Sequence, residues 1–505
     1  MVKVFPSTYV DSVLQLGATR AMAQTKGVKW ASAAMATVAN VEVLAAQGID
    51  VAQLSGARAN DLFLAVLAAT PIAAAAALEA GMAVLFAPHV EGRSVGDGGR
   101  LARSVAEACR QLGGAANVAV VSVPGPYAAI EAYKALTAGL HVLLFSDNVS
   151  VGDEIELKDR AVELGLLVMG PGAGTAVLGG TALGFANMVR SGRVGVVAAA
   201  GTGAQEAMSL LDQWGAGVSH VIGVGGRDLS QAVAGRMTLA AVAALEADPG
   251  TDAILVISKP PAPEVAQTVL GAAGQKPLVA ALIGHGAPAP AGARVVTVST
   301  LEAGVVAVMA VLGLDPPDSG TALLAQVEAA CAGLPDQRTL IRGLYSGGTL
   351  CHEALSLLAP LVGPVCSNVT PGRRGTHLCL DLGEEEYTRG RPHPMIDPEA
   401  RIELMREAGR HPQVAVILVD VVLGYGSHPD PAGVLAPVAR EIMADGQGPQ
   451  VVAYVLGTDG DPQDLAGQRA ALRAAGCIVP PTATRAVLAA AALATRRPEL
   501  VLALP

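Results

Sequence analysis

From Asn117 onward the chain repeats one device: a short apolar run, a turn, and a helical stretch of roughly 10 to 15 residues. NVAVVSV (117–123), LHVLLFS (140–146), RVGVVAA (193–199), SHVIGV (219–224), DAILVIS (252–258) and PLVAALI (277–283) are apolar without alternation. Such a strand must be covered on both faces, and helices linking successive strands do this in a parallel sheet. The repeat therefore predicts an α/β fold of several doubly wound, Rossmann-like or flavodoxin-like parallel-sheet domains. LDPPDSG, from Leu314, reads as a linker, and a further α/β region follows, with strands at Val414–Asp420 and Val451–Val455.

The first 114 residues read differently. VKVF, Val28–Met35, Leu62–Leu67 and Met82–Phe86 are short strand candidates, with a helix over Ser7–Gln24 and Ala-rich helical segments between. This suits a small α+β domain of ferredoxin-like type, with His89–Gly114 as a linker. At 505 residues the chain is long enough for three or four domains of roughly 150 residues. The expected division is 1–114, 115–190, 191–315, a linker helix over 316–338, and 339–505.

Composition excludes several classes. With 51% hydrophobic and 15% charged residues, the chain has apolar surface enough to offset its conformational entropy. A net charge of −10 without a basic cluster argues against nucleic acid. Thr70–Val90, the richest apolar stretch, is broken by Pro71, Glu79, Gly81 and Pro88, too early for the roughly 18 to 20 residues of a spanning helix. The six cysteines form no Cys-x-x-Cys pair, and MVKVFPSTYVDS lacks the features of a signal peptide. A cytoplasmic chain, with no membrane and no metal site, is the expectation.

Two segments share a design suited to anions. VVAAAGTGAQEAMSLL (196–211) and GLYSGGTLCHEALSLL (343–358) each pass from a strand through a Gly-Thr turn into an amphipathic helix. Glycines admit a ligand close to the backbone, and the free amides of a helix start favour negative charge. The candidate donors are the amides of Gly201, Thr202, Gly203 and Ala204 and of Gly347, Gly348, Thr349 and Leu350, with the two threonine hydroxyls. Neither turn carries the third glycine of a dinucleotide fingerprint or the Gly-Lys-Ser/Thr of a Walker loop.

Four runs carry a resemblance: RVGVVAAAGTGAQEAMSLLDQWGAGVSHVIGVGGRDLS, ISKPPAPEV, IRGLYSGGTLCHEAL and DLGEEEYTRGRPHPMIDPEAR. They resemble the FdrA family, which is related to succinyl-CoA synthetase, and the likeness covers most of the chain. It implies that 117–315 corresponds to part of the synthetase alpha subunit, with 115–190 its CoA-binding-like Rossmann portion, and 339–500 to the beta subunit's C-terminal domain. It also implies that the turns at 201–204 and 347–350 face one phosphate. The synthetase's phosphohistidine turn has no counterpart in AGARVVTVST (291–300), and His285 falls earlier. Lys259 stands where a supporting glutamate would, no ATP-grasp segment is evident, and the CoA-binding loop has no clear equivalent. The family is associated with oxamate carbamoyltransferase, in which oxalurate and phosphate give oxamate and carbamoyl phosphate, with partner subunits. That reaction is the leading expectation; acyl-CoA ligation, with CoA bound, and a decayed scaffold subunit are the alternatives. An oligomer acting on an anionic small molecule follows from either enzymatic reading. Gly172 and Ala173 replace the family's Asp-Cys pair, and Ala200 replaces a serine.

Individual candidates follow from position. Lys259 and Arg227 lie just past strand ends, where parallel sheets bind ligands; each is a phosphate or carboxylate partner or else a solvated base. Arg391 and His393, in the Pro-stiffened GRPHPMID, suit a bidentate carboxylate grip and a proton donor, or an ordered loop. His352 is off the apolar stripe and either reaches the anion or lies exposed on the surface. Cys351 is on that stripe with Leu355 and Leu358, which favours a packed thiol over a nucleophile. Asp420, at the end of VAVILVD, and Asn368 are candidate substrate contacts. Asp397 before Pro398 reads as a helix cap.

Overall fold

The computed structural model describes the chain except for residues 9, 11, 55, 59–60, 87–101, 285–293, 371–374, 389–391, 445 and 504–505. It divides into two compact units, Met1–Leu101 with Glu385–Pro392, and Ala102–Glu384 with His393–Pro505.

The first unit is the small α+β domain. Leu62–Ala68 pairs antiparallel with Val2–Phe5 on one side and Val28–Met35 on the other. This central strand is buried on both faces: Leu62, Leu64 and Val66 meet Ala18, Met22 and Ala77, while Phe63 and Ala65 meet Leu44 and Ile49. The expected strand at Met82–Phe86 is not one, because a helix runs through Pro71–Leu85. Thr70 caps it, accepting from the Ala73 amide at 3.2 Å, and the Ala-rich run carries it past Gly81. Gly81 marks close packing: a Cβ there would lie 2.7 Å from Met22 Cγ.

The second unit holds three sheets. Val118–Val121, His141–Leu144 and Val168–Met169 form a parallel three-stranded sheet. In the seven-stranded sheet, Ser191–Ala199 lies parallel between Ala253–Ser258 and Val218–Gly223. Leu278–Leu282 and Val295–Val298 extend one side, and the hairpin Thr175–Leu178/Thr181–Gly184 adds antiparallel to the other. The third sheet is parallel, in the order Val365–Cys366, His377–Asp381, Leu340–Tyr345, Val414–Val422, Gln450–Leu456.

Period-2 alternation sorts the side chains into two cores. Val196, Ala198, Leu255 and Ile257 join a cluster that also takes in Val416, Leu418, Val452 and the helix Ala483–Thr495. Val197, Ala199, Ile254 and Val256 face the other cluster, shared with Val142 and Leu144. Every residue from Ala483 to Ala494 is buried. No described helix is long and apolar enough to cross a membrane.

Candidate functional site

Two helices, Gly201–Gln213 and Gly348–Val362, begin where their strands end, and neither has a side-chain cap. Their first turns meet. The Thr349 amide donates to Thr202 Oγ1 at 3.3 Å. A Cβ on Gly203 would stand 2.8 Å from Thr349 Cγ2, and one on Gly347 would stand 2.9 Å from Thr202 Cγ2. The glycines at these positions are what let the two backbones come so close.

The eight candidate amides are not equivalent. Ala204 donates to Ala200 O at 3.0 Å, Gly347 to Asp420 Oδ2 at 2.7 Å, and Thr349 to Thr202, so these three are spent. Among the described residues, the amides of Gly201, Thr202, Gly203, Gly348 and Leu350 have no protein acceptor. Unpaired donors from two helix starts at one junction are the arrangement that holds an anion.

Side chains from a third direction complete the junction. Lys259 follows the strand Ala253–Ser258, and its Nζ lies 3.0 Å from where a Gly348 Cβ would stand. Among the described residues it makes no ion pair or side-chain hydrogen bond. Asp381 Oδ2 would be 2.3 Å from the same Cβ. Burial pushes the Asp381 carboxyl up to about 6 against the opposing pull of Lys259. His352 is held neutral, lowered to about 4 by burial and then by the Lys259 charge. Asp381, which ends the strand His377–Asp381, is absent from the sequence candidates, whereas Asp420, expected at a strand end, lies within Val414–Val422, a strand that runs two residues further.

Several expected contacts turn out to be structural. Asp420 is 1% exposed, and its Oδ1 accepts from Ser346 N, Ser346 Oγ and Arg401 Nη1 at 2.7, 2.9 and 2.9 Å. With Oδ2 accepting from Gly347 N, both of its oxygens are engaged in holding the turn. Asn368 is likewise occupied: its amide donates to Asp381 O at 2.8 Å and accepts from Asp381 N at 3.0 Å. It holds the strand that presents Asp381. Arg227 pairs with the buried Glu154 at 2.8 Å and donates to Val149 O, so it is no unpaired anion ligand.

His393 Nδ1 accepts from the Met395 amide at 3.3 Å. Burial lowers His393 to about 4, which removes it as an imidazolium donor near neutral pH. Cys351 is a core thiol, raised well above its usual range by burial. Asp397 Oδ1 accepts from Glu399 N at a helix start. Arg391 and His285 lie outside the described residues. At Gly172, where the FdrA pattern has an aspartate, a Cβ would stand 2.4 Å from Asp147 Oδ1, so that carboxylate fills the space a side chain would need.

Comparison with known proteins places this geometry. A family described as CoA-ligase matches residues 344–493. One described as AllF, heavy metal-associated domain, matches residues 1–99. The matched segment offers no thiolate, because the first cysteine of the chain is Cys109. The uncharacterized protein YahF of Escherichia coli (strain K12) is 40% identical over 505 residues, covering 96% of each chain. The mitochondrial succinate–CoA ligase (ADP-forming) subunit alpha-2 of Trichomonas vaginalis is 33% identical over 191 residues, 35% of this chain and 59% of its own. The ADP-forming sulfoacetate–CoA ligase subunit SauD of Bilophila wadsworthia (strain 3_1_6) is 30% identical over 183 residues, 34% of this chain and 61% of its own. This chain thus spans about three fifths of the length of those two ligase subunits. Identity over nearly its whole length puts the chain in the family of Escherichia coli YahF, as a protein similar to the CoA ligases.

Proposed function

We propose that this chain is a subunit of an acyl-CoA-ligase-type enzyme, and that the paired helix starts hold the phosphoryl group of an acyl phosphate. The observation that carries the reading is the meeting of two uncapped helix starts, with unpaired amides at Gly201, Thr202, Gly203, Gly348 and Leu350, and with the Lys259 ammonium 3.0 Å from where a Gly348 Cβ would stand. The match to the CoA-ligase family and the likeness to ligase alpha subunits support it. Attack by a thiol on the acyl carbon forms the C–S bond, breaks the C–O bond and releases phosphate. Preorganised amides and Lys259 stabilise the charge that develops on that leaving phosphate. The thiol proton passes to the departing phosphate, because His352, lowered to about 4 by burial and the Lys259 charge, is a poor base near neutral pH. Partner subunits supply what the matched segment, about three fifths of a ligase alpha subunit, lacks.

A second reading rests on Asp381. Its carboxylate is an acceptor beside the phosphate cradle, and a carbamoyl group, unlike a simple acyl group, has an NH2 to donate to it. This favours carbamoyl transfer of the FdrA type, between phosphate and an oxamate-like amide.

Thermal denaturation with acetyl phosphate, carbamoyl phosphate and CoA added separately tests both. A ligand at 100 times its Kd adds roughly 2.7 kcal/mol, enough to displace the melting curve. Stabilisation by acetyl phosphate and CoA supports the ligase; stabilisation by carbamoyl phosphate but not CoA supports carbamoyl transfer. Silence from all of them removes the anion site. Lys259→Met should abolish the phosphate-dependent shift while leaving the ligand-free melt unchanged.

A further inference from the structure

Two glutamates one turn behind the helix starts have no part in that reading. The same six-residue pattern opens both helices, Gly201-Thr202 to Glu206 and Gly348-Thr349 to Glu353, with each glutamate four residues after its threonine. At that spacing the glutamate lies on the same helix face as the threonine. The threonines meet at the anion junction, and the glutamates converge on the start of the buried helix Ala483–Thr495.

Glu206 accepts from Ala483 N at 3.1 Å and from the Tyr454 hydroxyl. Glu353 accepts from Leu301 N at 2.7 Å and Thr484 Oγ1 at 3.3 Å. Its Oε2 is buried with no hydrogen-bond partner among the described residues. The charges facing the pair from the packed elements are mostly negative or already committed. Glu302 accepts from Thr482 and is paired with Arg485 at 2.9 Å, so that guanidinium is spent. Arg469, which faces Glu206, donates to Gln213 and Val455, and the hydroxyls of Tyr345 and Tyr454 are fully buried.

We propose that Glu206 and Glu353 are proton-bearing positioning residues that lock the two anion-facing helices to the helix Ala483–Thr495, and that their ionisation closes the site to anions. The inference rests on the anion-site reading above. A buried carboxyl without a cation stays protonated, and a protonated Glu353 leaves only a neutral oxygen unpaired. Burial raises Glu206 to about 7 and Glu353 to about 8, with the neighbouring carboxylates pushing the same way. Once ionised, each sets a negative charge one turn from the amides that would hold the anion, and the pair repels across the helix interface.

Sulfate is the probe, because it keeps its charge where phosphate gains one. Its melting shift on the full chain should fall between about pH 6 and about pH 9, corresponding to roughly tenfold weaker binding. Glu353→Gln and Glu206→Gln, which mimic the protonated forms, should keep the shift over that range. A sulfate shift that is flat with pH in the parent chain, or falls equally in both variants, overturns the proposal while leaving the anion site standing. Sulfate that fails to bind at every pH overturns both. If the variants do not fold, an infrared difference spectrum of the parent chain decides: loss of a protonated-carboxyl band over the same interval supports the proposal, and its absence refutes it.

Discussion

Asp420 illustrates how a residue can be placed by sequence and still have its role decided by partners far along the chain. Its place in the apolar strand Val414–Val422 is local, but the Ser346, Gly347 and Arg401 groups that use up its oxygens come from other elements. Asp420→Ala strips the counter-charge from Arg401, itself 2% exposed. The expected loss is about 3–5 kcal/mol, read from urea or thermal unfolding. The buried imidazoles give a second prediction at this scale. His352 and His393 have folded values near 4, below the usual 6.5, so the unfolded chain binds their protons first. Their contribution to stability is present above about pH 6.5 and lost as pH falls toward 4. His393→Asn, which keeps an acceptor for the Met395 amide, should flatten the acid side of a Tm-against-pH curve. An unchanged slope would assign the acid sensitivity to other groups.

At the level of elements, the helix starts were legible because their signal is contiguous: strand, Gly-Thr turn, amphipathic helix. Which amides remain free was not legible. Gly347 loses its donor to a carboxylate 73 residues away, and Thr349 loses its own to a hydroxyl 147 residues away. Asp381 was not legible for a related reason: two of the five residues of its strand are polar, and the Lys259 charge that acts on it follows a strand of a different sheet. Gly81 misled in the opposite direction: it looks like a break in the sequence, but in the fold it is a point of close packing on Met22. Ala200 offers a test at this scale. It is the N-cap of Gly201–Gln213, in extended conformation and without a capping side chain. Ala200→Ser should raise stability by about 1 kcal/mol through a hydroxyl accepting from the first turn. The same bond would compete for amides with an anion, so sulfate or phosphate should bind more weakly. A stabilised variant with undiminished anion binding would show that the ligand uses other donors.

For the whole molecule, the apolar strands announced parallel sheets covered on both faces, and the alternation of Val196 and Val197 between two cores is that pattern realised. The sequence does not reveal how far each core reaches. One cluster gathers residues from Val177 to Val501 across two sheets, whereas Met1–Leu101 has its own clusters around Leu64 and Phe63. Separate cores predict separate cooperativity. Differential scanning calorimetry should resolve two transitions, the larger containing all three α/β sheets. A single transition whose calorimetric and van't Hoff enthalpies agree would mean that the two units melt as one.

The helix Ala483–Thr495 has a consequence for biosynthesis. It is enclosed by sheets and helices whose residues leave the ribosome before it does, apart from the short 3-10 helix Pro498–Leu502 that follows it. Until it emerges, the apolar faces around Val416, Val452 and Leu355 have nothing to close against, however well their own strands have paired. Exposed surface of that kind invites aggregation. The order of synthesis therefore leaves these faces uncovered until one Ala-rich segment arrives to close sheets already paired.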